Sequence, residues 1–211
     1  MTSRAAFLER IRSRLQSVAE TSVEIPPDWA VEVDDPLRRF EVELVGAGGR
    51  FHLGREAEVG DVLAEILKPF EKPRVVVTRE AGIPETAASA VQSAGGEVLW
   101  WPEAGRNGAA GAQVGITAAL WGAAETGTIL LSSAPPSGRA PSLLPRVHVA
   151  FLARDRIVPT VADLFACVAG MGERPSNLVL VTGPSKTADI ENTLVQGVHG
   201  PAEAHVIVTQ P

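Results

Sequence analysis

Short β-branched runs, separated by stretches with helical spacing, constrain this chain more than any other feature. They are "PRVVVT" (73–78), "EVLWW" (97–101), "RVHVAFLA" (146–153), "NLVLVTG" (177–183) and "HVIVTQ" (205–210). A run such as "RVVV" lacks the polar alternation of a half-solvated strand, so it suits a strand covered on both faces. Between the runs lie amphipathic segments. "EVGDVLAEILKPF" puts Val59, Leu63, Ile66 and Leu67 on one helical face, and "PETAASAVQSAGG" closes on glycine. "VPTVADLFACVAGMG" is a third helix. Alternation of this kind predicts an α/β fold with a mostly parallel sheet and helices on both faces. With 211 residues, 45% of them hydrophobic, the chain can fill a sizeable core.

The first residues are organised differently. "MTSRAAFLERIRSRLQ" places Phe7, Ile11 and Leu15, with Val18 beyond, near helical spacing. "TSVEIPPDWAVEVDDP" then reads as an extended linker broken by Pro26, Pro27 and Pro36. The expected division is an N-terminal helix and linker over 1–35 and one domain over 36–211. In "PLRRFEVELVGAGG", Phe40, Val42 and Leu44 alternate like a strand, while Leu37, Phe40, Leu44 and Val45 share a helical face. Pro36 in a first turn and the Gly48-Gly49 stop favour the helix, with "RFHLG" a short strand after it. "PEAGRNGAAGAQ" (102–113) reads as a flexible loop and "APPSGRAPSLLP" as a Pro-rich one.

Composition excludes several classes. A net charge of −6 with scattered basic residues argues against a nucleic-acid-binding face. One cysteine, Cys167, rules out an internal disulfide, and iron–sulfur clusters want about four thiolates. Cys167 stands in apolar "LFACVAG" and reads as a buried, inert thiol. The expected compartment is the cytoplasm. No apolar run reaches the ~18 residues of a membrane span. His52, His148 and His199 lack the close spacings of zinc ligands, so no metal site is expected. No G-x-G-x-x-G follows a strand.

Three segments carry residues fit for chemistry. "VTGPSKTADIE" leaves a strand through Gly183 and enters what reads as a helix. Free N–H groups at such a start attract anions, with Ser185, Lys186 and Thr187 beside them and Asp189 following. The alternative is that Ser185 and Thr187 only cap the helix. "QGVHGP" brackets His199 with Gly197 and Gly200, so the imidazole either titrates at a site or bonds its own turn. "AAETGTILL" sets Glu125, Thr126 and Gly127 before a strand, where Glu125 is either a base or nucleophile or a helix-end carboxylate. Arg139, on the Pro-rich loop, suits a carboxylate or phosphate clamp. His148 alternates with Arg146 and Ala150 on a face expected to meet solvent.

"VGITAALWGAAETGTILLSS", "SLLPRVHVAFLARDRIV" and "LVLVTGPSKTADIENTLVQGVHGPAEAHVIV" closely resemble the LUD-domain family, in particular its lactate utilisation protein C group. The resemblance implies a fold similar to the NagB/RpiA/CoA-transferase group. It implies a subunit without a cluster of its own, working beside two iron–sulfur partner proteins that oxidise L-lactate to pyruvate. Glu125 and His199 are then the proton-handling candidates. Thr126, Gly127, Arg139, Gly183, Ser185, Lys186, Thr187, Asp189 and Gly200 are the ligand-binding ones. All are expected in one cleft at the carboxyl ends of parallel strands, around a small anion. Two other functions stay open: a free-standing enzyme acting on a CoA thioester, sugar phosphate or folate-like ligand, and a scaffold without chemistry.

Overall fold

The computed structural model describes residues 3–15, 32–80, 84–173, 175–188 and 194–210. The chain divides into two compact units, Met1–Val31 and Glu32–Pro211. In the first, helix α1 (Arg4–Leu15) carries Phe7, Ile11 and Leu15 at the expected spacing, and none of its residues is buried. Val18 and residues 21–31 of the expected linker lie outside the described residues.

The second unit begins with α2 (Pro36–Gly46), where the helical reading prevails over the strand. Asp35 accepts a bond from the Arg38 N–H at 3.1 Å, Pro36 occupies the first turn, and Phe40 and Leu44 are buried. Then come β1 (Arg50–Arg55), α3 (Val59–Leu67), β2 (Arg74–Val77), α4 (Pro84–Ser93) and β3 (Glu97–Trp100). The glycine-rich stretch taken for a flexible loop instead forms α5 (Gly105–Ala110). Its Ala109, with Ala112 after it, is buried against Val76, so packing overrides poor helix propensity. The remaining elements are β4 (Val114–Ala118), β5 (Trp121–Ala123), β6 (Thr128–Ser132), α6 (Ala140–Leu143), β7 (Val147–Ala153), β8 (Ile157–Val158), α7 (Val161–Ala169), β9 (Leu178–Val181), β10 (Lys186–Ala188), β11 (Leu194–Gln196) and β12 (Glu203–Gln210).

Six strands form a parallel sheet in the order β1-β12-β7-β4-β2-β3. On one face α3 and α4 pack Leu63, Leu67 and Val91 onto Val75, Val77, Ile116, Val149 and Ile207. Helices cover the other face too, but there a second sheet joins them, ordered β8-β5-β6-β9. Through Ile129 and Leu131 this sheet, with Phe40 and Leu44 of α2, buries Ala150, Leu152, Val206 and Val208. Each large side chain so buried contributes roughly 1.5–3 kcal/mol. Helix α6 rests on β4 at Gly115, where a Cβ would overlap the Pro141 carbonyl oxygen. Gly127, at φ +62°, lets the β5–β6 turn meet the backbone of Leu44.

The strand order positions the site. After β2 the chain moves outward to β3, whereas after β4 it moves the other way, to β7 and then β12. Loops leaving the carboxyl ends of β2 and β4 therefore diverge and open a crevice, the place where open parallel sheets collect ligands.

Candidate functional site

Gly183, Ser185, His199 and Gly200 do gather around one cleft, of about 300 Å³. That cleft lies at the amino ends of the strands, not at the carboxyl ends where it was expected. The Ser185 N–H donates to the Pro201 carbonyl and the Ala202 N–H to the Arg146 carbonyl, both at 2.8 Å, which ties the motif to the starts of β12 and β7. The described residues after Gly183 also form strands and not a helix. Lys186–Ala188 pairs antiparallel with Leu194–Gln196, and Thr187 sits opposite Val195. Among the described residues, Ser185 and Thr187 therefore start no helix, and the expected free N–H groups and capping role are not found there. Lys186, expected to face an anion, donates to the Ala47 carbonyl. Asp189 lies outside the described residues.

His148 forms part of the wall of this cleft and is 2% exposed, which corrects the solvent-facing expectation. Alternation assigned its face correctly, but α6 and the second sheet cover that face. Its Nε2 pairs with the Thr117 hydroxyl at 2.9 Å, and burial pushes its pKa down to about 4. His199 is exposed and makes no hydrogen bond among the described residues. Among the described residues, no arginine, lysine or carboxylate lines this cleft.

The other expected residues disperse. Glu125 accepts from the Val161 N–H at 3.0 Å, so its carboxylate serves the first turn of α7. Thr126 bonds Thr128 at 2.7 Å, and Thr128 bonds Thr182, so the 125–127 turn approaches the hairpin without sending Glu125 into the cleft. Arg139 borders a separate hollow with Trp101 and Pro136.

The crevice between β2 and β4 holds a different arrangement, in a hollow of about 420 Å³ lined by Glu80, Ala118, Trp121, Ser137, Arg156 and Thr209 among others. Glu80 follows β2. Its Oε2 accepts from the Thr78 hydroxyl and, at 3.4 Å, from the Ala118 N–H at the end of β4; its Oε1 accepts from the Ser137 hydroxyl. Three separate segments thus fix one half-buried carboxylate, and no cation pairs with it among the described residues. Arg156 supplies the positive charge. Its guanidinium packs over the Trp121 ring, 5.7 Å from the centroid, and no described carboxylate neutralises it. Arg74, Arg79 and Arg50, by contrast, pair with Glu97, Glu103 and Glu203.

Sequence reasoning missed Glu80, Ser137 and Arg156. One signal was present: "VVVTRE" carries an acid just past three buried valines. Nothing local marked Ser137, 57 residues away, as its partner.

A mostly parallel central sheet covered by helices defines an α/β protein. The chain belongs to the LUD-domain family, whose model matches residues 37–209. It is similar to an uncharacterized protein, YkgG, of Escherichia coli (strain K12), 34% identical over 76% of this chain and 73% of that protein. It is 32% identical to lactate utilization protein C of Anoxybacillus flavithermus, over 96% of this chain and 97% of the relative. A crystal structure of a DUF162 family protein from Deinococcus radiodurans superposes with a TM-score of 0.61 at 28% identity, covering 83% of this chain and 96% of that one.

Proposed function

We propose that this protein is a component of a lactate utilisation system that oxidises L-lactate to pyruvate, and that its own part is to hold the small carboxylate in the crevice between β2 and β4. The names of its full-length relatives support the metabolic assignment. The observation that carries the binding role is Arg156, a cation with no acidic partner among the described residues, on the rim of a hollow at the carboxyl ends of β4, β7 and β12. A guanidinium matches a carboxylate with two parallel hydrogen bonds. The electrons leave through the iron–sulfur clusters of two partner proteins, because a single cysteine on α7 provides no cluster ligand set. The cytoplasm, where such partners stay reduced, is the proposed compartment.

Genetic complementation tests this. In a strain lacking the chain, wild type should restore growth on L-lactate and the Arg156→Ala variant, expressed to the same level, should not. Normal growth on L-lactate without the chain would remove the metabolic assignment. Full rescue by Arg156→Ala would remove the binding role.

A further inference from the structure

The crevice is bipolar, and that property says more than that it takes an anion. Arg156 can only donate hydrogen bonds. Glu80, as a carboxylate, can only accept them. Two carboxylate oxygens offer about four acceptor positions, and Thr78, Ser137 and Ala118 use three. These three donors come from the end of β2, the end of β4 and the loop before α6, so the carboxylate is held in place before any ligand arrives. Its bond to Ser137 ties that loop down, but an amide oxygen could accept that bond too, whereas an amide NH2 could not accept from Thr78 and Ala118 on the other side. A carboxylate leaves acceptor capacity facing the hollow.

We propose that Glu80 recognises the group on carbon 2 of the bound acid, so that the crevice takes 2-hydroxy acids in preference to 2-oxo acids. This rests on the reading that the crevice binds a small carboxylate. With the ligand's carboxylate on Arg156, a 2-hydroxyl donates to Glu80. A 2-oxo group has no hydrogen to give and sets its own lone pairs against those of the carboxylate. A site built to bond a hydroxyl rejects the analogue lacking it far more strongly than a change of shape alone would. The exposed position of Arg156 on the rim moderates the effect, and about tenfold or more is expected in this half-open hollow. The chain then engages the reduced substrate and releases the oxidised product, which gives the crevice a direction.

Calorimetric titration of the whole chain with L-lactate and with pyruvate tests this, on wild type, Glu80→Gln and Glu80→Asp, with melting temperatures recorded alongside. Wild type should bind L-lactate about tenfold or more tighter than pyruvate. Glu80→Gln, whose amide can donate to an oxo oxygen, should bring the ratio near one, and Glu80→Asp, which withdraws the carboxylate by one methylene, should also lower it. Equal wild-type affinities for both acids, abolished together by Arg156→Ala, would overturn the role of Glu80 and leave carboxylate binding standing. An unchanged preference in folded Glu80→Gln would overturn it too. Binding of neither acid to wild type would overturn the carboxylate reading and this inference with it. The wild-type ratio decides even where Glu80→Gln fails to fold.

Discussion

The two ends of the six-stranded sheet present a ligand with different chemistry. The amino-end cleft is walled by glycines, hydroxyls, an exposed imidazole and a buried neutral one, with no fixed charge among the described residues. The carboxyl-end crevice is lined by a carboxylate held from three segments and an arginine with no acidic partner among the described residues. The residue types that attract attention in the sequence, the glycines, prolines and histidine of 183–201, build the first. Plain loop residues build the second. Punctuation of that density follows here from the covalent path: the chain leaves β9, turns through a hairpin and enters β12 within about two dozen residues, and Gly183 and Gly197 take positive φ on the way. Gly183 also passes so close to Ala47 that a Cβ would lie 2.9 Å from its carbonyl oxygen. Dense turn chemistry marked a demanding backbone, and strand order marked the crevice.

The sharpest break in the comparison is at Gly115. Helix α6 sits on it, with Ser142 and Leu143 facing the amino-end cleft and Ser137 entering the opposite crevice from the loop before the helix. Gly115→Val should cost about 3 kcal/mol or more in urea unfolding, because the Pro141 carbonyl occupies the space and belongs to backbone. A smaller loss would mean that α6 moves freely and that the two ends are less separate than described.

Acid separates the ends by a similar amount. His148, beside the amino-end cleft, is held neutral by burial with its pKa pushed down to about 4, and His205 to about 3 by burial and the neighbouring His52. Both pKa values are depressed below the ~6.5 of an unfolded chain, so in acid the unfolded state binds more protons than the folded one. Stability is then complete above about pH 6.5 and falls as pH drops, with His148 alone accounting for about 3 kcal/mol once pH passes below 4. Melting temperature against pH should flatten in His148→Leu. A wild-type profile that is level from pH 7 to about 4 would show these histidines to be accessible to protons in the folded state.

Arg156→Ala should weaken L-lactate binding by about ten- to a hundredfold, since a charge-assisted hydrogen bond is worth roughly 1.5–3 kcal/mol. Its melting temperature should barely change, because Arg156 is exposed. Lys186→Ala gives the smallest effect. Its ammonium meets the Ala47 carbonyl at the surface, so up to about 1 kcal/mol of stability is expected to go, with lactate affinity unchanged. A loss of affinity there would return the anion seat to the hairpin.

The strands and helices were legible because periodicity reports burial directly. Val75 to Val77 are buried without exception, and Leu63 and Leu67 share one face, both as the pattern implied. The hairpin was not legible: three-residue strands carry too little pattern to compete with Ser185 and Thr187, which resemble helix caps. His148 shows the limit in between. Alternation gave its face, while the cover on that face comes from β9 and α6, which local pattern does not connect to β7. The Glu80 arrangement was invisible for the same reason, since Thr78, Ala118 and Ser137 meet only once strand order is known.

Which end holds the ligand can be observed in solution by titrating L-lactate into the isotope-labelled chain and following its amide and indole NMR signals. The account predicts that Ala118, the Trp121 indole and Ser137 shift in a saturable way, while Gly183, Ser185 and Gly200 stay in place. Saturable shifts confined to Gly183, Ser185 and Gly200, with Trp121 unmoved, would contradict it.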